Sequence, residues 1–162
     1  MIRKVRLTDC KAITDIYNEY IVNSTATFET EPISNNEMER RISGIMSQYP
    51  YLVYEIDDTI VGYCYAHAWK ERAAYSKTLE TTVYVSAKCR GKGIGKQLMI
   101  NLIEECKKRD YSVLIACVTA ENEKSRTFHL KLGFKQVSLF EKVGVKFGRT
   151  LDVADYELLL KS

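Results

Sequence analysis

The chain has 162 residues, 28% charged and 46% hydrophobic, with 24 Lys and Arg against 21 Asp and Glu and a formal net charge of +3. A chain of this length buries about two-thirds of its unfolded surface and is expected to form a single domain, residues 1–162. Interspersed charges argue against a nucleic-acid partner. Five cysteines without a C-x-x-C pair suggest reduced thiols of a cytoplasmic protein, and no stretch approaches the roughly 18 apolar residues of a membrane span.

Ile2 to Arg6 alternate apolar and basic residues, as in a half-buried edge strand. Thr8 can cap a helix in which Ala12, Ile13, Ile16, Tyr17, Tyr20 and Ile21 share one face. Asn23 to Pro32 breaks that period and reads either as a functional loop or as a long connection. A second helix opens with Ser34 and Glu37 in capping-box register, carries Met38, Ile42, Ile45 and Met46 inward, and stops at Pro50. Two strands follow, Tyr51 to Ile56 and Ile60 to Trp69, joined at Asp57-Asp58. The second alternates small Gly62, Cys64, Ala66 and Ala68 with larger Tyr63, Tyr65, His67 and Trp69. One face therefore accepts close packing, and the row of rings on the other is either core filler or a pocket wall. His67 reads as a packed or partly exposed residue and not as a catalyst.

Leu79 to Val85 is the next strand, with Leu79, Thr81, Val83 and Val85 on one face and Glu80, Thr82 and Tyr84 on the other. It runs into Arg90-Gly91-Lys92-Gly93-Ile94-Gly95-Lys96 and an amphipathic helix that buries Ile94, Leu98, Met99, Leu102, Ile103 and Cys106. Three glycines free the backbone for positive φ, exposed N–H groups and the helix dipole point at whatever lies above the turn, and the cations surround it. A diphosphate suits such a bend. Gln97 after Gly95-Lys96 removes the hydroxyl that a Walker A loop needs for magnesium, and Lys96 stands where a dinucleotide fingerprint needs glycine. Val113 to Val118 reads as a central strand and Asn122 to Gly133 as a short helix. Phe134 to Leu139, Val143 to Phe147 and Val153 to Leu160 read as closing strands.

The Arg-x-x-Gly-x-Gly bend after a strand resembles the acetyl-CoA loop of the Gcn5-related N-acetyltransferase (GNAT) superfamily. Ile16-Tyr17-Asn18, the run Ile21 to Phe28, the block Glu80 to Val85, and Val143-Gly144 with Lys146 to Arg149 and Leu151-Asp152-Val153 resemble its phosphinothricin and methionine sulfoximine acetyltransferase branch. One departure is Thr150, where many relatives carry Trp. The resemblance implies an α/β fold with a mixed sheet of about seven strands flanked by about four helices. It implies acetyl-CoA as co-substrate, no metal, a homodimer, and as acceptor the α-amine of a small amino acid analogue.

Carried over residue by residue, the cofactor contacts fall on Val83, Tyr84 and Val85, on Arg90, Gly91, Lys92, Gly93, Ile94, Gly95 and Lys96, and on Asn122 and Ser125. Glu80 stands in the place of the general base and His129 in that of the acid that protonates the thiolate. The acceptor falls to Phe28, Glu29, Lys70, Arg72, Thr81 and Thr82. The residues alone leave alternatives open: Glu80 as a salt-bridged strand carboxylate, His129 as an ordering residue, Phe28 and Glu29 as a plain surface loop. They also leave open a non-catalytic acyl-CoA-binding module, or an enzyme acetylating another amine.

Overall fold

The computed structural model describes residues 1–161. Along them run β1 (Ile2–Lys4), α1 (Cys10–Asn23), α2 (Asn35–Met46), β2 (Tyr51–Ile56), β3 (Thr59–Ala68), β4 (Thr78–Val85), α3 (Ile94–Lys108), β5 (Val113–Thr119), α4 (Glu123–Lys131), β6 (Lys135–Lys146) and β7 (Arg149–Leu159). The strands form one sheet in the order β1-β2-β3-β4-β5-β7-β6. Neighbours are antiparallel except β4 with β5. This is the mixed α/β sheet with four helices that the sequence leads one to expect.

Local chemistry sets the elements. Ser34 caps α2 by accepting the Glu37 N–H at 3.1 Å. Asp57 and Asp58 take φ of 48° and 61°, the left-handed pair of a tight hairpin between β2 and β3. The first helix starts at Cys10, two residues past the expected Thr8 cap. Leu7–Asp9 form a tight turn instead, in which the Asp9 carboxylate accepts the Arg6 N–H at 2.8 Å and binds the Arg3 guanidinium. At the C-terminal end, the first two of the three expected closing strands are halves of β6. Its register shifts between Phe140 and Gly144, where Lys142 has φ 57°.

Residues opposite each other in the ladder share a face. Cys64 pairs with Val83 and Ala66 with Thr81, and these face α3, whose Leu98, Met99 and Leu102 are fully buried. The small residues of β3 are needed there. A Cβ at Gly62 would lie 3.2 Å from Leu98 Cδ1 and 3.2 Å from the Tyr84 carbonyl. Tyr65 pairs with Thr82 and His67 with Glu80 on the other face, where α1 and α2 pack through Ile13, Ile16, Met38 and Ile42.

Candidate active site

An opening in the sheet positions the site. β4 and β5 pair only through Thr78–Val113, Leu79–Leu114 and Glu80–Ile115, although both strands continue. On its other side β4 is fully paired. The Ser86 N–H donates to Val61 and the Trp69 N–H to Thr78, so the even-numbered residues of β4 bond to β3. The odd-numbered ones aim toward β5, and past Glu80 the backbone of Val83 and Val85 faces the opening. The expected contact at Tyr84 is corrected by this parity, since its backbone bonds to β3 and its ring packs on Tyr17, Tyr20 and Tyr63. The Val85 carbonyl accepts the Tyr20 hydroxyl at 2.6 Å, which ties the end of β4 to α1.

The glycine bend closes one end of the opening. Gly91 and Gly93 both take φ of 77°, and Gly93 caps α3 in the left-handed conformation. Gly95 differs from them: it lies in the first helical turn, where a Cβ would sit 3.6 Å from the Phe128 ring. The first N–H groups of a helix have no partner within it. Here they are flanked by the exposed side chains of Arg90, Lys92 and Lys96. Arg90 is steadied by the Tyr20 ring at 4.9 Å and donates to its hydroxyl at 3.3 Å. An unpaired strand edge leading to a cationic helix N-terminus fits an amide-bearing chain that ends in a diphosphate.

Glu80 stands where β4 and β5 part. Burial raises its pKa above the ordinary carboxylate value; His67 opposes that shift and Asp155 adds to it. His67 Nε2 lies 3.9 Å from Glu80 Oε2, while its Nδ1 is 2.9 Å from the Ala68 carbonyl. With Nδ1–H donating to that carbonyl, Nε2 faces the carboxylate.

On α4, Asn122 is the helix cap, its side chain accepting the Ser125 N–H at 3.1 Å. His129 is 5% exposed, between the rings of Phe128, Phe134 and Tyr156, with Nδ1 2.8 Å from the Ser125 carbonyl. Burial lowers its pKa, and the hydrogen bond to the Ser125 carbonyl opposes that shift. It belongs to the α3–α4 side of the sheet, across from Glu80.

The profile of the Acetyltransferase (GNAT) domain matches residues 2–154. The chain belongs to the GNAT acetyltransferase family. It is 39% identical over 153 residues to the phosphinothricin N-acetyltransferase of Alcaligenes faecalis, covering 93% of this chain and 78% of that one. It is 32% identical over 160 residues to the L-methionine sulfoximine/L-methionine sulfone acetyltransferase of Salmonella typhimurium, covering 98% and 94%. Among solved structures it resembles a GNAT superfamily phosphinothricin acetyltransferase from Sinorhizobium meliloti in complex with AcCoA, with TM-score 0.95, 36% identity and coverage of 98% and 87%.

The expected acceptor residues of this GNAT chain do not all meet. Thr82 shares the face of Glu80. Thr81 does not: it is 7% exposed on the α3 face, with its hydroxyl 3.5 Å from the Ile115 carbonyl, because strand side chains alternate. Lys70 and Arg72 are exposed on the connection that leads from His67 to Glu80, with Lys70 Nζ 4.3 Å above the Trp69 ring. Glu29 is bound on both sides, accepting the Tyr17 hydroxyl and a two-point contact from Arg41 at 2.7 and 2.9 Å. Phe28 lies over Gly144, where an added Cβ would fall 2.1 Å from its ring.

The burial of Lys146 and the pairing of His67 escaped the sequence reading. Lys146 is 3% exposed and donates to the Ser24 and Thr27 carbonyls at 2.7 Å each, which pins the 23–32 segment and shows that it is no loose connection. Nothing in the local pattern marks a buried lysine. His67 had a signal, its place on the ring-bearing face of β3, but its pairing with Glu80 depends on strand register.

Proposed function

We propose that this GNAT acetyltransferase uses acetyl-CoA to acetylate the α-amine of a small amino acid or analogue, of the phosphinothricin, methionine sulfoximine or methionine sulfone type. The observation that carries this reading is Glu80, a carboxyl with a raised pKa at the point where β4 and β5 separate. Acetyl-CoA supplies the acetyl thioester. The backbone of Val83 and Val85 would hold its amides, the bend from Arg90 to Lys96 its diphosphate, and Asn122 and Ser125 its flank. Glu80, ionised, takes a proton from the acceptor ammonium and frees the nitrogen lone pair to attack the thioester carbonyl; as the C–N bond forms the C–S bond breaks, and the departing thiolate gains a proton to leave as the free thiol while the amide nitrogen sheds its second one. The backbone N–H of Val83 would supply a donor to the carbonyl oxygen. Lys70 and Arg72 pair with the acceptor carboxylate, Thr82 lines its path, and Phe28 and Glu29 close the far wall. His129 keeps α4 beneath the opening and is the residue of that helix that would hand a proton to the departing thiolate.

Release of CoA with phosphinothricin, methionine sulfoximine and methionine sulfone tests the reading. Turnover of at least one is expected, and acetyl-CoA binding without turnover of any amine would reject it. A cytoplasmic location is consistent with five unpaired cysteines among the described residues. The chain is proposed to form a homodimer through the β6 edge of the sheet, where Val137, Leu139, Val143 and Val145 of the strand and Phe147 of the turn that follows it are 48–68% exposed. Val145→Lys is expected to shift sedimentation toward the monomer.

A further inference from the structure

A cavity of about 330 Å³ lies between α2 and the tyrosine face of β2 and β3. It has room for about ten waters and falls at the small end of the range for small-molecule sites. Its floor is a stack of rings. Tyr51 lies 4.9 Å from Tyr65 and 6.2 Å from Tyr63, centroid to centroid, at angles of 29° and 22°. Met38 and Ile45 of α2 form the opposite wall, and His67, beside Glu80, stands at the near end.

The cavity is polar at chosen points. Tyr51 and Tyr63 are 4% and 2% exposed, and neither hydroxyl has a protein partner among the described residues. No side-chain polar atom in the described chain is both shielded and unpaired. Both hydroxyls therefore open onto space, and the space these two residues share is this cavity. Burial keeps both protonated, so both can donate. The nearby cations are already satisfied. Arg41 is bound by Glu29 and Glu37, and Arg40 by Glu37 at 2.6 Å. An anion entering the cavity would lose hydration without gaining an unpaired arginine, whereas a ring would gain stacking surface and a neutral polar tip would gain two donors.

We propose that this cavity is the side-chain subsite of the amine acceptor, and that it selects an uncharged, ring-bearing amino acid whose tip hydrogen-bonds to Tyr51 and Tyr63 over an anionic one such as phosphinothricin. The assignment rests on Glu80 as the base. With the α-amine at Glu80 and the carboxylate toward Lys70 and Arg72, the side chain passes His67 into the space under α2.

The test compares kcat/KM for L-tyrosine, L-phenylalanine and phosphinothricin with acetyl-CoA. Tyrosine is expected to exceed phosphinothricin at least tenfold. Gly44 lines the cavity in α2, and a Cβ there would meet nothing within 4 Å, so Gly44→Phe adds a ring at the cavity without a clash at its first atom. That variant is expected to lower the tyrosine-to-phosphinothricin ratio at least tenfold. Tyr63→Phe, which removes one donor at constant shape, is expected to lower the tyrosine-to-phenylalanine ratio about three- to tenfold. A preference for phosphinothricin in the wild type, or ratios that survive both substitutions, would overturn the subsite and leave the acetyltransferase reading standing. Failure to acetylate any of the three, or any other amine, would overturn the base assignment as well.

Discussion

The two faces of the sheet are packed in different ways. Beneath α3, Gly62, Cys64 and Ala66 let helix and strands approach closely, and Leu98, Met99, Leu102 and Cys106 are fully buried against them. Beneath α1 and α2, β2 and β3 instead present Tyr51, Tyr63 and Tyr65, rings too large and too flat to be filled in completely, and a cavity remains. The first arrangement holds β4 rigidly beside the glycine bend. The second leaves volume beside His67. Close packing thus fixes geometry on one side and looser packing leaves space on the other, with β4 contributing a residue type to each by its alternation.

The largest expected effect breaks the chemistry and leaves both packings intact. Glu80→Gln keeps the shape of the side chain and removes its basicity, so kcat/KM for the best acceptor should fall roughly 10²–10⁴-fold. The same variant should be slightly more stable in urea at neutral pH. A carboxyl whose pKa is raised in the folded protein is penalised when ionised, so its contribution declines as pH rises through that value, and glutamine does not ionise. With the side chain about one-third exposed, the gain is held to roughly 0.5 kcal/mol by solvent screening. Full activity in Glu80→Gln would remove it from the role of base.

Next in size is a direct comparison of the two faces. Leu98→Ala opens a hole in a region with no slack and should cost about 3–5 kcal/mol of unfolding free energy. Met38→Ala deletes a side chain that already borders open space, so fewer contacts are lost and the cost should be nearer 2 kcal/mol. Denaturant titrations of the two variants measure the difference. Equal costs would mean that the cavity collapses in solution and that the tyrosine face is packed as tightly as the other.

Much of this contrast could be read in advance. The alternation of small and aromatic residues from Gly62 to His67 foretold two unlike faces, and the glycine bend announced the head of α3. Pairing across the sheet could not be read from the chain alone. Alternation already sets Thr82 with Glu80 and Thr81 opposite, but which of the two faces α3 covers is decided only by the packing. The parity of the ladder likewise takes Tyr84 out of the opening and leaves Val83 in it. His129 is marked by the resemblance, but its burial depends on Phe134 and Tyr156, which reach it from outside its own helix. Lys146 and Glu29 are polar residues enclosed by partners distant in sequence, and no period marks them.

The smallest expected effect tests whether the tyrosine face reaches the chemistry through its last member. Glu80 is faced by His67 and Tyr65 from β3, by Cys117 from β5 and by Asp155 from β7. Burial is the dominant influence and raises its pKa, so the acid limb of kcat/KM should lie at higher pH than an ordinary glutamate would give. Protonated His67 draws that limb back down and Asp155 pushes it up. His67→Gln removes the favourable neighbour, so the limb should move to higher pH, by a small step for a pair this exposed. Asp155→Asn should move it the opposite way. Opposite displacements would place both side chains in electrostatic contact with the base, whereas a limb unmoved by His67→Gln would confine His67 to the wall of the cavity.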